Sequence, residues 1–339
     1  MRAAIVGVGF MGWIHYLAYQ RSNSAEMVGF CSRDPGKRAG DWRGIKGNFG
    51  PPGEQIDVTG MTVHESIEPL LEDPSIDLID ICLPPALHPE VIRKCLQAGK
   101  RVLCEKPLAL DAATARQLAD EAAPGQLMVA HILPLMPEFS LLVEAAGDRR
   151  WGQPLSGRFH RTIGPPDWIP DFYDRSSVGG PLIDLHVHDA HLIRLLFGMP
   201  TAAHTVSRIK EGLPMFYETV FEFGSDASTD RPGVAVAAGG GVIDSPARPF
   251  THGYEVSFEN ATVRFEFAGY ADGSTTLIPV TIMKKDGTIE RPEFGDGDPV
   301  NAFVSEIDAA ARCVDQGEVS AILDANTAAD ALAICEMQM

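Results

Sequence analysis

The run Gly7-Val8-Gly9-Phe10-Met11-Gly12 constrains this chain more than any other. It follows Ala3–Val8, a continuous apolar stretch of the kind that forms a strand buried on both faces. It opens Met11–Gln20, which has helical periodicity. In a G-x-G-x-x-G turn between strand and helix each glycine has a physical task. The first makes the tight turn, the second lets a pyrophosphate approach the backbone, and the third lets the helix pack closely on the strand. The helix N-terminus then presents N–H groups to the phosphates. Gly7, Gly9, Phe10, Met11 and Gly12 are therefore the expected dinucleotide-binding turn.

The strand–helix rhythm continues. Met27–Cys31, Asp77–Leu83, Arg101–Cys104 and Leu127–Ala130 are further apolar runs, with helical patterns at Pro89–Ala98 and Ala112–Ala122, the latter behind Asp111 as N-cap. This predicts a doubly wound parallel sheet over residues 1–125. Beyond about residue 150 the pattern changes. Leu155–Ile163, Ala203–Lys210, Phe216–Phe223, Val234–Gly239, Tyr254–Glu259, Thr262–Phe267 and Thr276–Met283 have strand character, and Asn301–Gln316 and Ala325–Met339 read as closing helices. Residues 126–339 should thus form a second α/β domain with an open, mainly antiparallel sheet. A chain of 339 residues also exceeds one ordinary core. The Gly- and Pro-rich segment 41–55 reads as a surface loop or insertion.

With 28 basic and 46 acidic residues the formal charge is −18, which excludes nucleic acid or an anionic membrane as the main partner. No apolar run approaches the roughly 18 residues of a membrane span, and a strand starting two residues after Met1 leaves no room for a leader. Cys31, Cys82, Cys95, Cys104, Cys313 and Cys335 lack metal-ligand spacing, so buried free thiols in a reducing cytoplasm are expected.

Three further segments carry chemistry. After the second strand, Ser32 stands where an NAD site needs a carboxylate, and Arg33 follows it. A hydroxyl and a guanidinium suit a 2′-phosphate, with Lys37 and Arg38 close behind, so NADP is favoured. The other reading gives Asp34 the ribose and leaves NAD possible. Glu105-Lys106-Pro107 lies at the carboxyl end of a parallel strand, the edge where open α/β sheets bind ligands. In Gly179–His191, a helix reaching residue 197 would place Asp184, His188 and His191 at i, i+4 and i+7 on one face. Such a face can move protons, hold a metal, or be a polar surface. His186 points away and is expected to pack. Trp168 and Tyr173 in the loop 164–178, and Arg161 before it, are candidates for substrate contact.

Together GVGFMG, LPPALHPEVIRKCLQAGKRVLCEKPLAL at 83–110 and GGPLIDLHVHDAHLIRLLFG at 179–198 resemble the Gfo/Idh/MocA oxidoreductases, the family of glucose–fructose oxidoreductase and inositol dehydrogenase. The resemblance implies a Rossmann domain and an α/β domain whose sheet often forms the interface of a homodimer or homotetramer. It implies a sugar, polyol or related hydroxy compound as substrate. No metal is expected, because a metal on the helix face would leave Lys106 and the glycine loop unexplained. The resemblance assigns Lys106 to the family's lysine, before a commonly cis proline, and Asp184 and His188 to its D-x-x-x-H pair, with histidine as acid/base. It also places Pro84, His88, Glu105 and Lys106 at the cofactor. Two departures bear on substrate: His191 replaces a common Asp, and Ile-Leu-Pro-Leu follows His131. The implied activity is NAD(P)-dependent hydride transfer at a hydroxyl-bearing carbon. The alternatives are NAD-dependent glycoside cleavage and a non-catalytic cofactor sensor.

Overall fold

Six short strands, most of them buried apolar runs, pair side by side and all in one direction. In the computed structural model, which describes residues 1–166, 172–224, 233–295 and 297–339, two compact units are present. The first comprises Met1–Met136 and Gly297–Ala329, the second Pro137–Asp296 and Asp330–Met339. The division is not the single cut after residue 125 that the sequence suggests, because residues 297–329 return to the first unit.

The first unit begins β1 (Arg2–Val6), α1 (Phe10–Arg21), β2 (Glu26–Cys31), α2 (Pro35–Arg38), β3 (Thr62–His64) and α3 (Glu68–Glu72). It continues β4 (Leu78–Ile81), α4 (His88–Gln97), β5 (Arg101–Glu105), α5 (Ala112–Glu121) and β6 (Leu127–Ala130). The sheet order β3-β2-β1-β4-β5-β6 is entirely parallel and reverses direction of growth between β1 and β4. Ligands of such sheets bind outside the carboxyl ends of the strands at that reversal. Asp111 caps α5, accepting from the Thr114 N–H at 2.7 Å.

The segment 41–55 is not the open surface loop its composition suggests. Trp42 is fully buried and meets Phe30 edge-on at 5.3 Å, while the Trp13 indole donates to the Pro51 carbonyl at 2.8 Å. An isolated bridge between Asp41 and Gln55 closes its base. Its apolar residues Trp42 and Ile45 belong to the core of the first unit.

The second unit contains α6 (Pro137–Asp148), β7 (Pro154–Ile163), α7 (Arg175–Val178), α8 (Pro181–Asp184), α9 (Val187–Phe197), β8 (Ala202–Lys210), β9 (Leu213–Glu222) and β10 (Ala235–Val242). β11 (Phe250–Phe258), β12 (Ala261–Gly269), β13 (Thr275–Lys284) and β14 (Ile289–Glu290) complete its sheet, and α10 (Val300–Gln316) and α11 (Ala325–Glu336) end the chain. The eight strands run β14-β13-β12-β11-β7-β10-β9-β8, antiparallel except where β10 lies parallel to β7. Period-two burial along β9 reflects one face packed on the helices. Among the described residues no helix is long and apolar enough to cross a membrane, and all six cysteines are free and buried.

Candidate active site

In the first unit the glycine loop has the shape its sequence requires. Gly7 has φ +98°, and a Cβ there would lie 2.7 Å from the Cys82 carbonyl oxygen. A Cβ on Gly12 would lie 2.3 Å from the Gly7 carbonyl oxygen, so the third glycine lets α1 seat on the turn. Gly9 differs: it has φ −108°, begins α1, and a Cβ would meet nothing within 4 Å. Its lack of a side chain keeps space open at the helix N-terminus. That is a cradle into which a pyrophosphate fits. Phe10 and Met11, half-buried, form the first helical residues.

The edge after β2 is built as follows. Ser32 is half-buried and Arg33 exposed. The Asp34 carboxylate caps α2, accepting from the Gly36 and Lys37 N–H groups at 2.8 and 3.3 Å. The Lys37 ammonium donates to the Val8 carbonyl, and the Arg38 guanidinium to the carbonyls of Ser32 and Arg33. Those two cations therefore brace the turn, and Arg33 is the exposed one.

At the ends of β4 and β5, Pro84 is exposed and Lys106 half-buried, with a cis peptide bond between Lys106 and Pro107. His88 and Glu105, both expected at the cofactor, have their polar atoms engaged within the protein. The His88 ring nitrogens lie 2.9 Å from the Pro107 carbonyl and 2.8 Å from that of Leu83, joining the two loops. Burial outweighs the two carbonyl contacts and holds this ring below the usual histidine range. Glu105 accepts the Lys106 backbone N–H at 3.0 Å and faces His15 at 3.1 Å. Their contribution is to shape the loops that carry Pro84 and Lys106.

In the second unit the single helix expected over 179–197 is two, α8 and α9, separated by a turn at Leu185–His186. The His186 ring packs at 4.9 Å from Tyr217 and stacks at 6.4 Å on Phe221, tertiary contacts that periodicity does not register. Burial lowers its pKa to about 4. Its expected packing role is what the structure shows. Within Val178–Ile193 every residue is buried except Asp184 and His188. Asp184 closes α8 and His188 lies in the first turn of α9.

The other candidates fare differently. His191 is fully buried rather than displayed on an open face. Arg161 is 4% exposed and clamped by Asp189, with Nε 3.0 Å from Oδ2 and Nη2 2.9 Å from Oδ1. The expectation of a substrate contact at Arg161 gives way to a bidentate anchor that ties the start of α9 to β7, one residue from His188. Asp189 carried no signal in the sequence, since its partner is set only by the sheet. Tyr173 is 45% exposed, and Trp168 lies outside the described residues.

Residues 1–131 match the model of the Gfo/Idh/MocA oxidoreductase family, whose description is an NAD-binding Rossmann fold. The chain is 30% identical over 268 residues to the dTDP-3,4-didehydro-2,6-dideoxy-alpha-D-glucose 3-reductase of Streptomyces violaceoruber, covering 76% of this chain and 73% of that protein. It is 25% identical over 323 residues to an inositol 2-dehydrogenase of Rhizobium meliloti, covering 94% and 89%. A solved levoglucosan dehydrogenase in complex with NADH shares the fold, with a TM-score of 0.76 at 19% identity over 100% of this chain and 95% of that one. Sequence matches of this depth run through both units and exceed shared topology: the chain belongs to the Gfo/Idh/MocA family of oxidoreductases.

Proposed function

We propose an NADP-preferring oxidoreductase acting on a hydroxyl-bearing carbon of a sugar, polyol or related compound. The observation that carries the assignment of roles is that Asp184 and His188 alone escape burial within Val178–Ile193. The dinucleotide, when bound, supplies the hydride acceptor or donor. His188 takes the hydroxyl proton as the carbon is oxidised and returns it in the reverse direction, a task suited to a group whose reference pKa is about 6.5. Lys106 stabilises negative charge that develops on a substrate oxygen during hydride transfer. Asp184 orients His188 or a neighbouring hydroxyl.

Gly7, Gly9 and Gly12 cradle the pyrophosphate, and Pro84 lines the nicotinamide end. The NADP preference rests on Arg33, exposed beside Ser32, and on the Asp34 carboxylate being spent on α2. Relatives support the substrate class: a Haloferax volcanii protein 26% identical over 326 residues is named D-xylose 1-dehydrogenase (NADP(+)) 2. Val206, Ile209, Val220 and Leu277, all exposed on the strands of the eight-stranded sheet, support a homodimer or homotetramer through that sheet. Six free buried thiols suit the cytoplasm.

The test is oxidation of myo-inositol, D-xylose, D-glucose and levoglucosan with NADP⁺ and NAD⁺, read as reduced-nicotinamide absorbance. Lys106→Ala and His188→Ala should each retain NADPH binding and lower turnover about 100-fold or more. Wild-type turnover in both variants would refute the mechanism.

A further inference from the structure

Beneath the Glu105–Lys106 turn lies a buried cluster of titratable groups that the proposed chemistry does not use. His15 comes from α1, Asp80 from β4, Glu105 from β5 and Glu306 from α10, and all belong to the first unit. His15, Asp80 and Glu306 are fully buried and Glu105 is 6% exposed. The His15 Nδ1 lies 2.8 Å from Asp80 Oδ2, and Nε2 lies 3.1 Å from Glu105 Oε1 and 3.9 Å from Glu306 Oε2. The Tyr19 hydroxyl donates to Asp80 at 3.1 Å, and the Cys82 thiol lies 3.6 Å from its other oxygen. The second oxygen of Glu105 accepts the Lys106 N–H.

Hydrogen-bond geometry points to a charged ring. Both ring nitrogens of His15 face carboxylate oxygens, which only accept when ionised. Both nitrogens must then donate, which a neutral imidazole cannot do. Burial is the largest single influence and opposes a charged ring, but the interactions with Asp80 and Cys82 together outweigh it and raise His15 well above the usual histidine range. Burial also pushes Glu306 well above the carboxylate range, so it is the neutral member. Cys104 of β5, buried and raised well above the thiol range, adds no charge. One imidazolium thus serves two carboxylates. A bound metal is disfavoured here, because His15 is occupied on both sides and burial drives the Cys82 thiol far from its thiolate.

We propose that His15 is a positioning residue for Lys106, acting through Glu105. Held at one oxygen by His15, the Glu105 carboxylate fixes the backbone N–H of Lys106 with the other and so sets where the lysine begins. This rests on the role proposed above for Lys106.

The experiment compares wild type, Lys106→Ala, Glu105→Gln, His15→Leu and His15→Gln in the full chain, using NADP⁺ and whichever panel compound wild type oxidises fastest. NADPH affinity is measured separately by fluorescence. Glu105→Gln keeps the shape and removes the charge. It should lower kcat on the order of 10-fold to 100-fold, with KM and NADPH affinity within about 3-fold of wild type. His15→Leu should do the same, and His15→Gln, which keeps a donor for Glu105, should recover part of the loss. If His15→Leu fails to fold, Glu105→Gln decides alone. ¹⁵N-histidine NMR at pH 8 should show both His15 nitrogens protonated. A singly protonated ring, stoichiometric metal in the purified protein, or wild-type kcat in Glu105→Gln alongside a slow Lys106→Ala overturns the positioning role. A fast Lys106→Ala, or no panel turnover by wild type, overturns the functional reading itself.

Discussion

Replacing Arg161 by Leu isolates the cost of the ion pair under α9. The pair is bidentate, 3.0 and 2.9 Å, and both side chains are about 95% buried. His252, opposite Arg161 on β11, and His186 are both held below the usual histidine range, first by burial and in part by Arg161 itself, and the burial that disfavours their charged forms stays in the variant. The single variant therefore leaves Asp189 buried and ionised without a cation, a loss of about 3–5 kcal/mol. For a unit of this size each kcal/mol shifts the unfolding midpoint by roughly 2–4 °C, so the second unit's transition should fall by about 6–20 °C. The double variant Arg161→Leu/Asp189→Leu removes both charges and should recover most of that, because an apolar pair of matching volume often replaces a buried ion pair without loss. Scanning calorimetry near pH 7 follows the transition. An Arg161→Leu midpoint within about 2 °C of wild type, or a double variant as unstable as the single, would refute the claim that this pair anchors α9. In parallel, Arg161→Leu should lower turnover while leaving NADPH affinity unchanged, since the displaced element carries His188 and not the glycine loop.

The glycine loop allows a contrast of two conservative changes. Gly12→Ala drives a Cβ to 2.3 Å from the Gly7 carbonyl oxygen and should cost about 1–3 kcal/mol in thermal unfolding of the first unit. Gly9→Ala meets nothing within 4 Å and should unfold like wild type yet bind NADPH at least about 10-fold more weakly; equal behaviour of the two would sink the assigned division of labour. Arg33→Ala should weaken NADP⁺ more than NAD⁺ in KM, and equal losses would remove the basis for the NADP preference. His186 makes the second unit acid-sensitive. The folded ring takes its proton near pH 4 and the unfolded one near 6.5, so the unfolded chain binds more protons between them. Stability then falls as pH drops through that window, by about 3 kcal/mol in all, and is unaffected above it. Among the described residues neither His186 ring nitrogen has a hydrogen-bond partner, so His186→Phe should be near neutral at pH 7 and should flatten the acid loss in denaturant titrations at pH 5; an unchanged pH dependence counts against it.

The parallel sheet was legible because its strands are buried on both faces and read as unbroken apolar runs. β3 was not, being three half-buried residues at the sheet edge. Segment 41–55 misleads for a compositional reason. Its glycines and prolines dominate a local window, while Trp42 finds its partners in Phe30 and Trp13, which only the folded chain brings near. The site divides along the same line. Gly7 and Gly12 could be named from a local motif and Asp184 and His188 from helical spacing, whereas the role of Lys106 comes from the resemblance. The burial of His191, the capture of Arg161 by Asp189 and the His15 cluster depend on elements far apart in sequence. His15 alone gathers groups from α1, β4, β5 and α10, and no pattern along the chain encodes that meeting.

Those distant contacts share a logic. In the first unit the candidate catalytic residue Lys106 directly follows a buried carboxylate, Glu105, held by a cationic ring. In the second, His188 directly precedes a buried carboxylate, Asp189, held by a guanidinium. The backbone of a reactive residue can be fixed by the residue next to it. Two half-buried groups, Lys106 and His188, thereby start from fixed Cα positions. Misplacement of reacting groups by about 1 Å can cost on the order of 100-fold in rate, which is the scale that such anchors protect. The arrangement also explains why the anchors are ionic. A buried charge pair contributes little net stability relative to apolar packing, but it is strongly directional and expensive to break one-sidedly. If that is their purpose, apolar double replacements at Arg161 and Asp189 should return the stability without returning the turnover, and recovery of both together would show the pair to be packing alone.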